Sequence, residues 1–446
     1  MKSIITKIHQ EASTKALARL INHPSVNTSD GTTNPPFGQG IALCLKEALQ
    51  ICKELGMTTY EDPAGFYGFA DYGVGSELVA VVCHLDVVPA GDLTLWKTDP
   101  FVATIKDGVM YGRGSQDDKG PTIASLFGFK AVVDAGYQFN KRIRFIFSTD
   151  EETLWRCMAA YNKKEEQATM GFVPDGSFPL VFAEKGLLQV ELIGPGSPNI
   201  QLKAGDALNV VPAQARYHGL ELTAVMKNLT QLGIDFDSSE TEVTVKGKAV
   251  HASVAQLGEN AINLLAMGLA PAASHPTLTF LAEQIGKQTN GATLFGEISD
   301  DVSGELTFNV GLLNVSDESS TIGIDMRIPV KRDKEALMKQ LAKVAESYGL
   351  TLKEFDYVPA IYVPKESSLI QTLLKVYREK TGDLTEPMTS GGATLARTMD
   401  NLVAFGAHFP ESKSLAHQAN EGQVLSEMYQ AMDIYASAII ELACEK

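Results

Sequence analysis

Hydrophobic and polar positions follow two rhythms along this chain. Residues 2–22 and 40–55 repeat apolar positions every three to four residues, the spacing of amphipathic helices, and the second stretch stops at Gly56. Short, mainly apolar runs follow. Leu78–Cys83 is one, succeeded at once by His84-Leu85-Asp86; Ile143–Ser148 is another, succeeded by Thr149-Asp150-Glu151-Glu152. Between them Gly120–Gly136 reads as a helix entered from a glycine-rich turn. Such runs, with helical segments between, predict an α/β fold whose mixed sheet is flanked by helices. Ligands of these sheets gather beyond the carboxyl ends of the strands, which is where the polar clusters begin.

From about Lys185 to Val358 the rhythm changes. Thr241–Lys246 (TEVTVK) and Ser320–Arg327 (STIGIDMR) alternate, which predicts half-exposed antiparallel strands, and Leu220–Leu232 and Lys334–Tyr348 have helical spacing. The two halves of this region echo one another: a helix ends in glycine (LTQLGIDF, AESYGLTLKEF) and a strand follows. We therefore expect an inserted α+β domain at 185–358, internally doubled, splitting an outer domain into 1–184 and 359–446. The outer domain finishes on a helix, Glu427–Glu445.

Composition narrows the class. A chain of 446 residues exceeds what one core supports, in keeping with two domains. Its net charge of −16 opposes binding to nucleic acid or to an anionic membrane, and favours cations in an acidic cleft. Five cysteines, an odd number with no CxxC pair, indicate neither a disulfide framework nor a zinc ribbon. The first twenty residues are charged throughout, unlike a signal peptide, and no apolar window is long enough to span a membrane. The expected location is the cytoplasm.

Five polar clusters stand out in the outer segments: His84 with Asp86, Asp117-Asp118, Asp150-Glu151-Glu152, Asp175 and His417. Imidazole and carboxylate without thiolate is a donor set for borderline or hard divalent cations. Two histidines with several carboxylates suit a pair of ions bridged by one carboxylate, and a further carboxylate that is not a ligand would serve as general base. Each cluster alone is weak, since acidic triplets also open exposed helices. Their placement after buried strands and within a glycine-rich turn strengthens them.

Together, HLDVVPAGD, YGRGSQDDKGP, STDEE, PDG and AHQANE resemble the motifs of the dinuclear metallopeptidase superfamily of aminoacylases, carboxypeptidase G and carnosinase. DEETLWRCMAAY followed by GFVPDGSFPLVFAEKG is similar to the bacterial dipeptidases called peptidase V. The resemblance implies that the outer domain is catalytic and the insertion a lid. It implies one cation on His84, Asp117 and Asp175, and a second on His417, Asp117 and Glu152, with zinc, manganese or cobalt all compatible. Glu151 becomes the general base and Asp86 the partner that holds the His84 ring. Asp118, where many superfamily members have an apolar or small residue, fits the dipeptidase branch, and the Asp117–Asp118 peptide is expected to be cis.

In the insertion the resemblance makes His251 (KAVHAS) an oxyanion stabiliser, and Asn209 and Arg327 holders of the substrate carboxylate. Gly391, Gly392 and Arg397 resemble a substrate-binding loop. By residue pattern alone Arg327 is an exposed strand residue, and His9, His23, His218, His275 and His408 are structural. The expected activity is hydrolysis of unblocked dipeptides by an active monomer. The rivals are an N-acyl amino acid deacylase and a metal-dependent binding protein without catalysis.

Overall fold

The computed structural model describes residues 2–445. They form two compact units, one of residues 2–182, 363–388 and 394–445, the other of Ala183–Tyr362 with Thr389–Ala393. The sequence boundaries cut the chain a few residues away and leave 389–393 in the outer domain. That stretch belongs with the insertion because the Lys185 N–H donates to Ser390 O (2.9 Å) and Arg327 Nη1 donates to Gly391 O (2.8 Å).

In chain order the first unit supplies α1 (Lys7–Ile21), α2 (Gln39–Glu54), β1 (Thr58–Glu61), β2 (Tyr67–Tyr72), β3 (Leu78–His84), α3 (Lys119–Asp134), β4 (Arg142–Ser148), β5 (Met170–Val173) and β6 (Val181–Glu184). The second unit supplies β7 (Gly186–Pro195), β8 (Leu202–Ala204), α4 (Leu222–Gln231), β9 (Thr307–Val315), β10 (Ser319–Ile328), α5 (Lys334–Ser347) and β11 (Thr351–Val358). The chain then returns through α6 (Ser368–Thr381), β12 (Leu402–Ala404) and α7 (Leu425–Ala443).

The sheet of the first unit runs β1-β2-β4-β3-β5-β12-β6. Its centre, β4-β3-β5-β12, is parallel, while β1, β2 and β6 run antiparallel to their neighbours. Every residue of β3 is buried, as an unbroken apolar run covered on both faces requires. Helices α3 and α7 approach closely at Gly128. A Cβ there would lie 2.8 Å from Met432 O and 3.0 Å from Ala436 N, so no larger residue fits without moving α7. α1 starts on a capping box: Thr6 Oγ1 accepts the His9 N–H and His9 Nδ1 accepts the Thr6 N–H. His9 Nε2 then faces Asp134 at 3.1 Å, a structural task for this histidine.

The second unit is built on an antiparallel sheet ordered β8-β9-β10-β7-β11. The register sets Leu188, Val190 and Leu192 of β7 opposite Met326, Ile324 and Ile322 of β10, and these apolar pairs belong to one core. The expected half-exposure of Ser320–Arg327 is corrected here. β10 is an inner strand between β9 and β7, and most of its length is buried. The expected doubling is also absent as two equivalent units. Strands from both halves interleave in one sheet, and the small sheet of Gln214–Tyr217, Val243–Lys246 and Phe236–Ser238 draws on the first half alone. All five cysteines are free and buried. Among the described residues no helix is long and apolar enough to cross a membrane.

Candidate metal centre

Three neighbouring parallel strands deliver the polar clusters to one edge of the sheet. β3 ends on His84, β4 runs into Thr149–Glu152, and β5 is followed by Asp175. Asp117 arrives from the glycine-rich turn before α3, next to a cis Asp117–Asp118 peptide. His417 comes from the loop before α7, with φ +64°, a left-handed conformation that non-glycine residues adopt rarely.

The Asp117 carboxylate lies between the two imidazoles. Its Oδ1 is 2.8 Å from His84 Nε2 and its Oδ2 is 2.9 Å from His417 Nε2. Asp175 Oδ2 lies 3.7 Å from His84 Nε2, and Glu152 Oε1 lies 3.1 Å from His417 Nε2. The donor atoms of His84, Asp117 and Glu152 fall within 4.8 Å of one another, as do those of His84, Glu151 and Asp175. Thus all five sequence-assigned ligands and Glu151 come together. Imidazole and carboxylate donors at this spacing fit a divalent cation.

The His84 ring is fixed from behind. Its Nδ1 faces the main-chain oxygen of Asp86 at 3.0 Å; a carbonyl only accepts, so Nδ1 carries a proton and Nε2 is the nitrogen turned toward Asp117. Asp86 thus meets the ring through its main-chain oxygen, with its Oδ1 farther off at 3.8 Å from Nδ1. The carboxylate instead accepts the N–H groups of Glu151 (3.0 Å) and Glu152 (2.9 Å), and so sets the turn that presents the base and a ligand. Asp118 Oδ2 accepts the His84 N–H at 3.1 Å and the Thr122 hydroxyl at 3.1 Å.

Crowded carboxylates and burial shift the acids apart. Burial lifts Glu151 well above the ordinary range; Asp175, Glu152 and Asp117 add to it, against His84. Burial and the Asp117 charge likewise raise Asp175. Burial also opposes ionisation of Asp117, but its hydrogen bonds to His417 and His84 outweigh that and pull it down. Hydrogen bonds that His417 donates to Asp117 and Glu152 raise it to about 10. A half-buried carboxyl with a raised pKa in such a cluster is the kind of group that can move a proton.

Sequence reasoning left two contributors unassigned. Glu421, the last letter of AHQANE, is buried and accepts from Arg113 Nη1 (2.7 Å) and the N–H groups of Gly114 (3.1 Å), Gln116 (2.8 Å) and Asp117 (3.3 Å). It fastens the turn that carries Asp117. Its position four residues after His417 was the available signal. His408, read as structural, lines a polar cavity of about 180 Å³ walled also by Asp117, Asp175, Ser177 and Glu427. Nothing around His408 in the sequence marks it, because β12 and its successor fold it there.

The residues expected in the lid are described within the second unit. His251 Nδ1 accepts the Ser253 N–H (3.2 Å) and lies 2.7 Å from Ser253 Oγ, so the neutral ring carries its proton on Nε2. Arg327 is buried rather than exposed. Its Nε and Nη2 pair with Asp325 at 2.7 and 3.0 Å, and Nη1 donates to Gly391 O. One N–H on each terminal nitrogen remains, which is the edge that binds a carboxylate end-on. Asn209 is exposed, and its carbonyl accepts the Ala252 N–H at 2.8 Å. Gly391 and Gly392 go with this unit, whereas Arg397 lies on a short turn of the first, Leu395–Thr398.

Residues 80–441 match the profile of peptidase family M20/M25/M40. The chain belongs to this family. Family membership makes the protein a metallopeptidase, in keeping with the donor set just described. A Staphylococcus aureus (strain USA300) relative with the provisional name of a dipeptidase is 33% identical over 440 residues, covering 92% of both chains. A Bacillus subtilis (strain 168) relative with the same kind of name is 33% identical over 431 residues, again covering 92% of both. Among solved structures, human carnosine dipeptidase 1 aligns at a TM-score of 0.61 with 15% identity, over 97% of this M20 chain and 96% of that one. Aminoacylhistidine dipeptidase from Vibrio alginolyticus aligns at 0.59 with 14% identity, over 98% and 97%. At such identities these two show the shared fold.

Proposed function

We propose that this M20 chain hydrolyses the amide bond of unblocked dipeptides with two divalent cations. The observation that carries it is the Asp117 carboxylate set between His84 Nε2 and His417 Nε2 at 2.8 and 2.9 Å. His84, Asp117 and Asp175 would hold one cation and His417, Asp117 and Glu152 the other; zinc, manganese and cobalt are all compatible with these donors. Bound cations supply Lewis acidity, lowering the pKa of a water and polarising the scissile carbonyl. Glu151 takes the proton from the attacking water and passes it to the leaving amine, while Asp86 holds the Glu151 and Glu152 backbone in place. His251 offers its Nε2–H to the carbonyl oxygen. Asn209 and the outer edge of Arg327 bind the α-carboxylate, and Gly391, Gly392 and Arg397 are further substrate-binding residues. The dipeptidase names of the 33%-identical relatives support the substrate class.

The test is Glu151→Gln against His84→Ala. Glu151→Gln is expected to keep its metal content while kcat on Ala-Leu falls by about 10²–10⁴. His84→Ala is expected to lose metal. If Glu151→Gln keeps most of its kcat, the assigned base is wrong; if N-acetylated substrates are cleaved as well as free dipeptides, the deacylase reading replaces this one.

A further inference from the structure

The second unit holds a cavity of about 410 Å³ that the reading above leaves without a task. Lys185, Ser253, Asn290, Glu305 and Thr307 are among its walls. Lys185 immediately precedes β7, and its backbone is pinned by the hydrogen bond to Ser390 O. Its Nζ donates to the main-chain oxygen of Glu305 and makes no ion pair with any described residue. Asp300 and Glu305 favour its charged form from a distance, against burial, which lowers its pKa. The Asp300 carboxylate is itself engaged by the N–H groups of Val302, Ser303 and Lys331. A part-buried ammonium without a direct counter-ion is one observation.

The second is independent. Thr307, on β9 opposite Arg327, is 6% exposed, and its Oγ1 finds no hydrogen-bond partner in the protein. Buried hydroxyls are normally satisfied, and an orphan in a cavity wall points to a partner brought by a ligand. Asn290 adds a donor: its Oδ1 accepts the Ala292 N–H at 3.2 Å, which leaves the amide NH₂ for others. Ammonium, hydroxyl and amide NH₂ together match a group that only accepts, as an ionised carboxylate does.

The cavity also adjoins the residues assigned to the substrate. Ser253 in its wall is the group that orients His251, and a Cβ built on Gly391 would lie 2.8 Å from Ser253 Cβ. Gly391 O in turn holds Arg327. A substrate whose carbonyl meets His251 and whose α-carboxylate meets Arg327 has its C-terminal side chain in this neighbourhood. We infer that the cavity receives the side chain of the substrate's C-terminal residue and selects aspartate or glutamate there, with Lys185 and Thr307 as the reading groups. This rests on the dipeptidase reading.

The experiment compares kcat/KM of the metal-loaded full chain for Ala-Glu, Ala-Gln and Ala-Leu. The wild type is expected to favour Ala-Glu over its uncharged isostere Ala-Gln by roughly tenfold or more. Lys185→Met and Thr307→Val are each expected to collapse that ratio, and Lys185→Arg to restore part of it. Thermal unfolding identifies a variant that has failed to fold, and the other variant then decides. A wild-type ratio near one, or a ratio unchanged in both folded variants, overturns the inference while leaving the dipeptidase reading intact. Cleavage of none of the three peptides overturns the dipeptidase reading and this inference with it.

Discussion

Replacing Glu421 by alanine is expected to loosen the metal centre without touching a ligand. The side chain is buried and accepts four donors, one of them the guanidinium of Arg113, which is itself only 2% exposed. What remains for Arg113 after truncation is weak: carbonyls of Gln418 at 3.2 Å and Pro89 at 3.3 Å, and the Trp96 ring at 5.2 Å. Removing one partner of a buried pair leaves an uncompensated charge and costs about 3–5 kcal/mol. Against a total stability of roughly 5–15 kcal/mol that is a large fraction. Glu421→Gln keeps the volume and one acceptor, so its loss is nearer 1–3 kcal/mol. Urea unfolding of the metal-free protein measures this as a lower midpoint at unchanged m-value. The freed Asp117 turn should also weaken cation affinity by about 10–100-fold, read by titration calorimetry, the usual effect of removing a group that supports a ligand. A Glu421→Ala protein within about 1 kcal/mol of wild type, with cation affinity unchanged, would refute the reasoning.

Three further outcomes are expected. Chelation should abolish hydrolysis and lower the melting temperature, and added zinc or manganese should restore both, because a cation that binds the folded state alone stabilises it by mass action; an unchanged melting temperature would count against the site. Burial lowers the pKa of His275 below 6.5, so the stability gained from keeping this ring neutral is present above about pH 6.5 and declines as pH falls below it. Wild type should therefore lose stability relative to His275→Gln between pH 7.5 and 5.5 in parallel urea titrations, and a constant difference would contradict this. Mixing His251→Ala with Glu151→Gln tests the active monomer: recovered activity would mean that the histidine is donated between chains.

Much of the centre was legible because its residues follow unmistakable strands. Leu78–Cys83 has no polar break and Ile143–Ser148 is interrupted only by Arg144 before its closing serine, so both read as strands; His84 closes the first and Glu151 follows the second. The burial of Arg327 was not legible, since alternation reports half-exposure only where one face of a strand meets solvent, and β10 lies between two neighbours under further cover. For Asp86 the atom, not the residue, was illegible. An HxD pair invites a carboxylate–imidazole bond, but the main-chain oxygen of the same residue reaches the ring first, leaving the carboxylate for the Glu151 and Glu152 amides. Lys185 and Thr307 carry no local signal at all; only the tertiary fold sets them around one cavity.

The order of strands in the first unit has a consequence for biosynthesis. β12 lies between β5 and β6, yet it is encoded after the whole insertion, as are His417, Glu421 and the helix that packs on α3. A nascent chain that has just emerged through residue 184 therefore carries an open slot in its sheet and an Asp117 turn with nothing to fasten it. Such unpaired strand edges are the aggregation-prone state of a growing polypeptide. The inserted unit, continuous in sequence apart from its five-residue outlier, can fold on the ribosome before the unit that precedes it is finished. Cation capture is then among the last events of maturation. A premature stop between residues 176 and 417 yields a chain that carries His84, Asp117, Glu152 and Asp175 but lacks His417 and the Glu421 carboxylate that fastens the Asp117 turn.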